Sequence, residues 1–215
     1  MTLAGELNLS DLARYLQERL QQPLPGITAH EAMFPASRDE IQARYKFATP
    51  PRQGSVLLLL FEENGGIYFP LIKRPAYAGV HGGQVSLPGG KAEPGETALQ
   101  TALREGEEEI GIVGHKVTAV GQLTSFNVLV SNIYITPIVG IYEGVPEFVP
   151  DPHEVDHVLL GSVSQLRQQQ EITKREVISG ARLSLLAPHF EVQKEVVWGA
   201  TAMILNEFRL LLRGH

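Results

Sequence analysis

The chain has 215 residues, 43% of them hydrophobic, which suits one well-packed domain with an appendage. Its formal charge of -6 and pI near 5.7 argue against the broad basic face that nucleic acid or an anionic membrane requires. With no cysteine, disulfides, zinc-thiolate centres and thiol catalysis are excluded.

The opening MTLAGELNLSDLARYL lacks a basic start followed by an apolar run, so it reads as no signal peptide. The longest apolar run, Val56 to Phe61, is far short of a membrane span, and a cytoplasmic protein is expected. Residues 6 to 21 predict an amphipathic helix with Leu9, Leu12, Leu16 and Leu20 along one side, ended by Pro23 and Pro25. Such a helix covers an edge of the main domain or a partner in a homodimer. From Gly26 to Arg52, Pro35, Pro50 and Pro51 and a lack of periodicity predict a surface connector. The chain is thus divided into residues 1–52, helix and connector, and 53–215, the main domain.

In the main domain Ser55 to Glu62 reads as a buried strand and Ile67 to Arg74 as its antiparallel return, because Asn64-Gly65 between apolar runs favours a hairpin. Gln84 to Leu87 is a short strand leading into Pro88-Gly89-Gly90. Glu96 to Ile110 is a helix, with Pro94 and Gly95 breaking the chain before it and Gly111 ending it. Strands follow at Lys116 to Phe126, Ile133 to Tyr142 and Val155 to Leu160, then a short helix from Ser162 to Gln169 with Ser162 as N-cap. Two brief strands around Val177 and Leu183 precede a closing helix from Trp198 to Arg213, apolar at Ala200, Met203, Ile204, Phe208 and Leu211. Strands interspersed with helices indicate an α/β sheet packed between helices.

The helix from Glu96 to Ile110 has two incompatible faces. Leu99, Ala102, Leu103, Gly106 and Ile110 fall on one arc of roughly 100°, a core-facing stripe. Glu105, Glu108 and Glu109 fall on another arc and repel one another, and the negative end of the helix dipole repels them again. A cation reverses the sign of each of these effects. Hard divalent ions such as Mg2+ take oxygen ligands from a few carboxylates while substrate phosphates complete the shell. A solvated acidic face is the plain alternative for such a run.

Gly90 to Ile112, GKAEPGETALQTALREGEEEIGI, resembles the Nudix box: G, five residues, E, seven residues, then R-E-U-x-E-E-x-G-U, where U is bulky and aliphatic. Gly90, Glu96, Arg104, Glu105, Glu108, Glu109, Gly111 and Ile112 match in register. Gly106, standing where the family carries an aliphatic or small residue, is the departure, and it reads as close packing. The resemblance implies a Nudix fold, a mixed β-sheet sandwiched between α-helices. It also implies that Glu105, Glu108 and Glu109 ligate Mg2+ or Mn2+, with the Gly89 carbonyl as a further ligand and Arg104 orienting the acids, with Glu96. The general base is either Glu105 or a carboxylate from a later loop, for which PDPHEVDH offers Asp151 and Glu154, and Glu154 is the candidate retained.

Upstream, LIKRPAYAGVHGGQVSLPGG resembles the additional motif of the coenzyme A diphosphatase branch, R-S-x3-R-x3-G-x3-F-P-G-G, at Arg74, Gly83, Pro88, Gly89 and Gly90, with His81 and Gln84 fitting an H-x-G-Q form. Val197-Trp198-Gly199-Ala200-Thr201-Ala202 resembles that branch's final helix. Gly79 replaces the branch's second arginine, Pro75 its serine and Leu87 its phenylalanine. Lys73 is a second cation beside Arg74, although strand alternation points neighbours to opposite faces. His81 either contacts a phosphate or caps its loop. The resemblance implies hydrolysis of coenzyme A or acyl-coenzyme A at the diphosphate, with Arg74, His81, Gln84 and Gly90 binding substrate. The enzymatic alternative is another nucleoside diphosphate derivative such as ADP-ribose, NADH or a dinucleotide. A non-catalytic ligand sensor is the alternative from another class, opposed by the intact carboxylate set.

Overall fold

The computed structural model describes residues 8–35, 43, 45–76, 81–178 and 184–213. At its centre is β1 (Arg52–Glu63), in which Gly54 to Phe61 are all buried, the mark of a strand covered on both faces. The turn at Asn64 and Gly65, both with positive φ, returns the chain as β2 (Gly66–Lys73), pairing Phe61 with Tyr68. Two short strands follow, β3 (Val85–Ser86) on β2 and β4 (Gly89–Lys91) on β1. The strand β7 (Ile133–Tyr142) runs parallel to β1, with β5 (Val117–Gln122) and β6 (Phe126–Val128) antiparallel on it, and β8 (His157–Ser162) pairs β2. The sheet is therefore mixed. A separate three-stranded sheet joins β9 (Thr173–Ile178), β10 (Ser184–Val192) and β11 (Glu195–Trp198).

Alternation along β1 sorts the core into two layers. Leu57, Leu59 and Phe61 meet Ala102 and Ile110 of α3 (Ala98–Ile110) on one face. Val56, Leu58 and Leu60 meet α1 (Leu9–Arg19) through Leu12 and Leu16, and α5 (Gly199–Leu212) through Ile204, Leu205 and Phe208, on the other. The result is the expected mixed sheet between helices. Leu12 and Leu16 are fully buried against their own chain, so α1 covers an edge of this domain. No described helix is long and apolar enough to cross a membrane.

Several expectations need correction. The stretch after Pro25 is not a bare connector: it forms α2 (Gly26–Glu31), whose His30 is buried. Its partner is Glu207 of α5, a fully buried carboxylate that accepts from the Gly26 amide (3.0 Å), the Thr124 amide (3.1 Å) and the Thr124 hydroxyl (2.6 Å), and bonds His30 Nε2 (3.1 Å). Burial pushes this carboxyl up, but the His30, Thr124 and Gly26 contacts outweigh it and hold the pKa below the usual carboxylate value. The strand expected from Lys116 to Phe126 is two strands, interrupted after an irregularity between Ala119 and Gly121. The helix α4 (Val163–Gln168) has Ser162 as N-cap, accepting from the Gln165 amide. The hairpin β10–β11 was not expected, because its turn is Gln193-Lys194, both at positive φ, without an Asn-Gly signal. Gly79 and Leu183 lie outside the described residues.

Candidate active site

Helix α3 begins at a capping box: the Thr97 hydroxyl accepts from the Gln100 amide, and the Gln100 side chain accepts from the Thr97 amide at 2.9 Å. It ends at Gly111, φ 70°, in the left-handed region. The buried face differs from the expected stripe. Leu99 is exposed and Leu103 half-buried, while Thr101 and Glu109 are buried with Ala102, Gly106 and Ile110. The cause is tertiary, because the loop before α3 and strand β4 fold over this side of the helix. Thr101 donates to Glu96 at 2.9 Å, and Glu109 lies under Gly89. A Cβ on Gly106 would lie 2.8 Å from Ile112 Cδ1, so the glycine permits close packing at the helix end.

The three box carboxylates have different surroundings. Glu108 is 59% exposed and pairs with Arg104 Nη1 at 2.8 Å. Glu105, largely buried, shares that nitrogen at 3.0 Å, and Arg104 also grips Glu96 through Nε at 2.8 Å and the Lys91 carbonyl at 3.0 Å. Arg104, and next the Glu93 amide, hold the Glu96 carboxyl down to about 2. Glu109 is 1% exposed and accepts from the Gly89 amide at 2.8 Å and from Arg74 Nη2 at 3.0 Å. Burial pushes its pKa up to about 7 against the opposing pull of Arg74 and the Gly89 amide, with the charges of Glu105 and Glu154 adding to the rise. Glu105 is raised for the same first reason, burial, with Glu108 and Glu154 adding repulsion that Arg104 only partly offsets.

Gly89 adopts φ 151°, and a Cβ there would lie 2.6 Å from Val56 Cα, so only glycine lets β4 approach β1 this closely. A Cβ on Gly90 would run into the Glu105 carboxylate. The Gly89 carbonyl accepts from Arg74 at 3.3 Å.

One cavity of about 880 Å³ gathers Arg74, His81, Gln84, Gly89, Gly90, Glu105, Glu109 and Glu154. Arg104 and Glu108 stand outside it on the flank. Asp151 serves its own loop, accepting from the His153 amide at 2.9 Å while its amide donates to the Glu109 carbonyl at 3.0 Å. His81 bonds Gln84 at 3.1 Å, and burial lowers its pKa, so the ring is neutral at pH 7. Lys73 turns away to Glu195 of β11, 2.6 Å distant, and so does not stand in for an arginine at Gly79. Sequence reasoning missed the remaining walls, which include Lys91, Phe126, Ile133, Ile135 and Met203. Only the alternation of Ile133 and Ile135 along β7 signalled an apolar face there.

Among the described residues no three carboxylates or histidines close around a common point; Arg104 Nη1 bridges Glu105 and Glu108, while Arg74 holds Glu109. The donor set still suits a hard divalent cation. All its atoms are oxygens, and burial with mutual repulsion raises both Glu105 and Glu109, a cost that a cation between them offsets.

The sequence matches the NUDIX domain over residues 51–197. It is similar to Nudix hydrolase 15, mitochondrial, of Arabidopsis thaliana, 31% identical over 88% of this chain and 66% of that protein. Nudix hydrolase 3 of Caenorhabditis elegans is 30% identical over 74% of this chain and 72% of its own length. The uncharacterized Nudix hydrolase NudL of Yersinia pestis (strain Pestoides F) is 34% identical over 63% and 68%. The chain thus spans about two thirds of the length of these relatives. A glycine-led acid helix held against a mixed sheet, within a domain match covering most of the residues, assigns the chain to the Nudix family of pyrophosphate-bond hydrolases.

Proposed function

We propose that the protein hydrolyses the diphosphate of coenzyme A or an acyl-coenzyme A, giving 4'-phosphopantetheine, or its acyl form, and adenosine 3',5'-bisphosphate. One observation supports this most. The loop containing Arg74, His81 and Gln84 and the start of α5 at Trp198 to Thr201, the two stretches resembling the coenzyme A branch, face the same cavity as the carboxylates. Thr201 donates to the Val85 carbonyl at 3.2 Å, tying α5 to the strand that leads into Gly89.

Glu105, Glu108 and Glu109, with the Gly89 carbonyl, would hold Mg2+ or Mn2+. When bound, such an ion neutralises charge on diphosphate oxygens and acidifies the attacking water. Arg104 orients Glu105 and Glu108 through its paired contacts. Arg74 keeps a positive charge beside Gly89 and Gly90, where the diphosphate approaches main chain unhindered by a side chain. His81 and Gln84 present a neutral hydrogen-bonding pair on the cavity wall. Glu154, facing Glu105 and Glu109 from the opposite loop, accepts the proton of the attacking water.

The test is a comparison of kcat/KM for coenzyme A, acetyl-coenzyme A, ADP-ribose and NADH with saturating Mg2+. The coenzyme A compounds should lead. Efficient cleavage of ADP-ribose with coenzyme A untouched refutes the substrate assignment.

A further inference from the structure

The cavity extends beyond the carboxylates onto residues outside both motifs. Across the sheet face below α5 the strands run β4, β1, β7, β6, and their register is continuous. Val56 stands opposite Gly89, Gly54 opposite Ile135, Ile135 opposite Phe126, and Ile133 opposite Val128. Three strand spacings put the β6 side chains about 14 Å from the Gly89 loop. Phe126, Val128, Ile133 and Ile135 make this floor, and Met203 and Ile204 of α5 face it from above. The described cationic or imidazole side chains lining the cavity, Arg74, His81 and Lys91, belong to the carboxylate end: Arg74 on Glu109, His81 in the preceding loop, and Lys91 on β4 itself. The far end holds its shape through the Glu207 contacts, which fix α2, Thr124 and α5 to one another, and through His30, whose ring lies 4.6 Å from that of Phe126.

We propose that this far end is an acyl subsite. It takes the uncharged hydrocarbon chain of an acyl thioester, so that medium-chain esters are cleaved in preference to free coenzyme A and to esters ending in a carboxylate. The assignment rests on the coenzyme A reading above. With the diphosphate at Gly89 and Gly90, the connecting arm crosses β1 and β7 and delivers its end to the aliphatic floor. Each methylene buried there leaves water, whereas a carboxylate would be desolvated against an apolar floor.

The experiment is a kcat/KM series with saturating Mg2+ on coenzyme A and its acetyl, butyryl, hexanoyl, octanoyl and succinyl esters, for the parent protein and for Val128→Asp. Full burial is worth about fourfold per methylene, so burying only two of the six methylenes by which octanoyl exceeds acetyl gives about sixteenfold, and the octanoyl ester should lead by at least about tenfold. Succinyl should fall well below butyryl, which has the same carbon skeleton length. In Val128→Asp the octanoyl advantage should shrink. A flat or falling series, succinyl equal to butyryl, or an unchanged ratio in a folded Val128→Asp overturns the subsite while leaving the coenzyme A reading standing. If neither coenzyme A nor any ester is split while ADP-ribose is, the coenzyme A reading fails and the subsite with it. The parent series alone decides the matter if the variant does not fold.

Discussion

Replacing Glu207 with glutamine perturbs the polar contact that joins the most distant parts of the chain. The native carboxylate is fully buried and has four donor contacts, from the Gly26 amide, the Thr124 amide and hydroxyl, and His30. A glutamine has one acceptor oxygen and must aim its NH2 at donors on the other side, so about two of the contacts are lost. Hydrogen bonds to a charged group contribute about 1.5 to 3 kcal/mol each. A loss of about 3 kcal/mol is therefore expected for the glutamine, and a larger one for alanine, which leaves every donor unpaired. With a urea m-value of about 2 kcal/mol/M, the unfolding midpoint should drop by about 1.5 M with m unchanged. Chemical unfolding at pH 7, followed by fluorescence of Trp198, measures this directly. A loss under about 0.5 kcal/mol, the range of ordinary surface substitutions, refutes the idea that this carboxylate clamps α2 to α5.

Linkage gives the same residue a pH signature. The folded pKa of Glu207 is depressed, so its contribution is present above the unfolded carboxylate pKa and is lost as pH falls through the lower folded value. The stability gap between the parent and Glu207→Gln should be constant above about pH 5 and narrow below it, read from urea midpoints across pH. Gly89→Ala should cost about 2 to 5 kcal/mol and nearly all turnover, because the new Cβ meets the β1 main chain at a φ that favours glycine; a stable, active variant contradicts the close approach. Glu105→Gln should lower kcat by about a hundredfold or more while leaving the unfolding free energy within about 0.5 kcal/mol of the parent, since it removes a charge repelled by Glu108 and Glu154. Full activity in that variant would remove Glu105 from the metal set.

The end of α3 was readable because local chemistry sets it at Gly111, whereas its start, expected at Glu96, is Ala98, where Thr97 and Gln100 form the capping box. The central hairpin was readable for the same reason at Asn64-Gly65. The inequality of the three acids was not. Periodicity placed Glu109 on one acidic arc with Glu105 and Glu108, and only the fold of β4 over α3 buries it against Gly89 and Arg74. α2 and Glu207 escaped because their partners are far apart in sequence, and a single glutamate in an apolar closing helix looks like its polar face. The β10–β11 turn escaped because Gln193 and Lys194 take positive φ without the residues that favour it. In the cavity, Arg74, Gly89, Gly90, Glu105, Glu109 and Glu154 could each be named from the sequence as candidates. The apolar floor was not, since it arises from register among β1, β6 and β7.

The most direct measurement is the mass of the products formed when coenzyme A is incubated with the protein and Mg2+. Equal amounts of 4'-phosphopantetheine and adenosine 3',5'-bisphosphate are expected, formed at least about a hundredfold more slowly by Glu105→Gln. Intact coenzyme A in a sample that splits ADP-ribose, or products from cleavage at any other bond, would contradict the assignment of this site to the coenzyme A diphosphate.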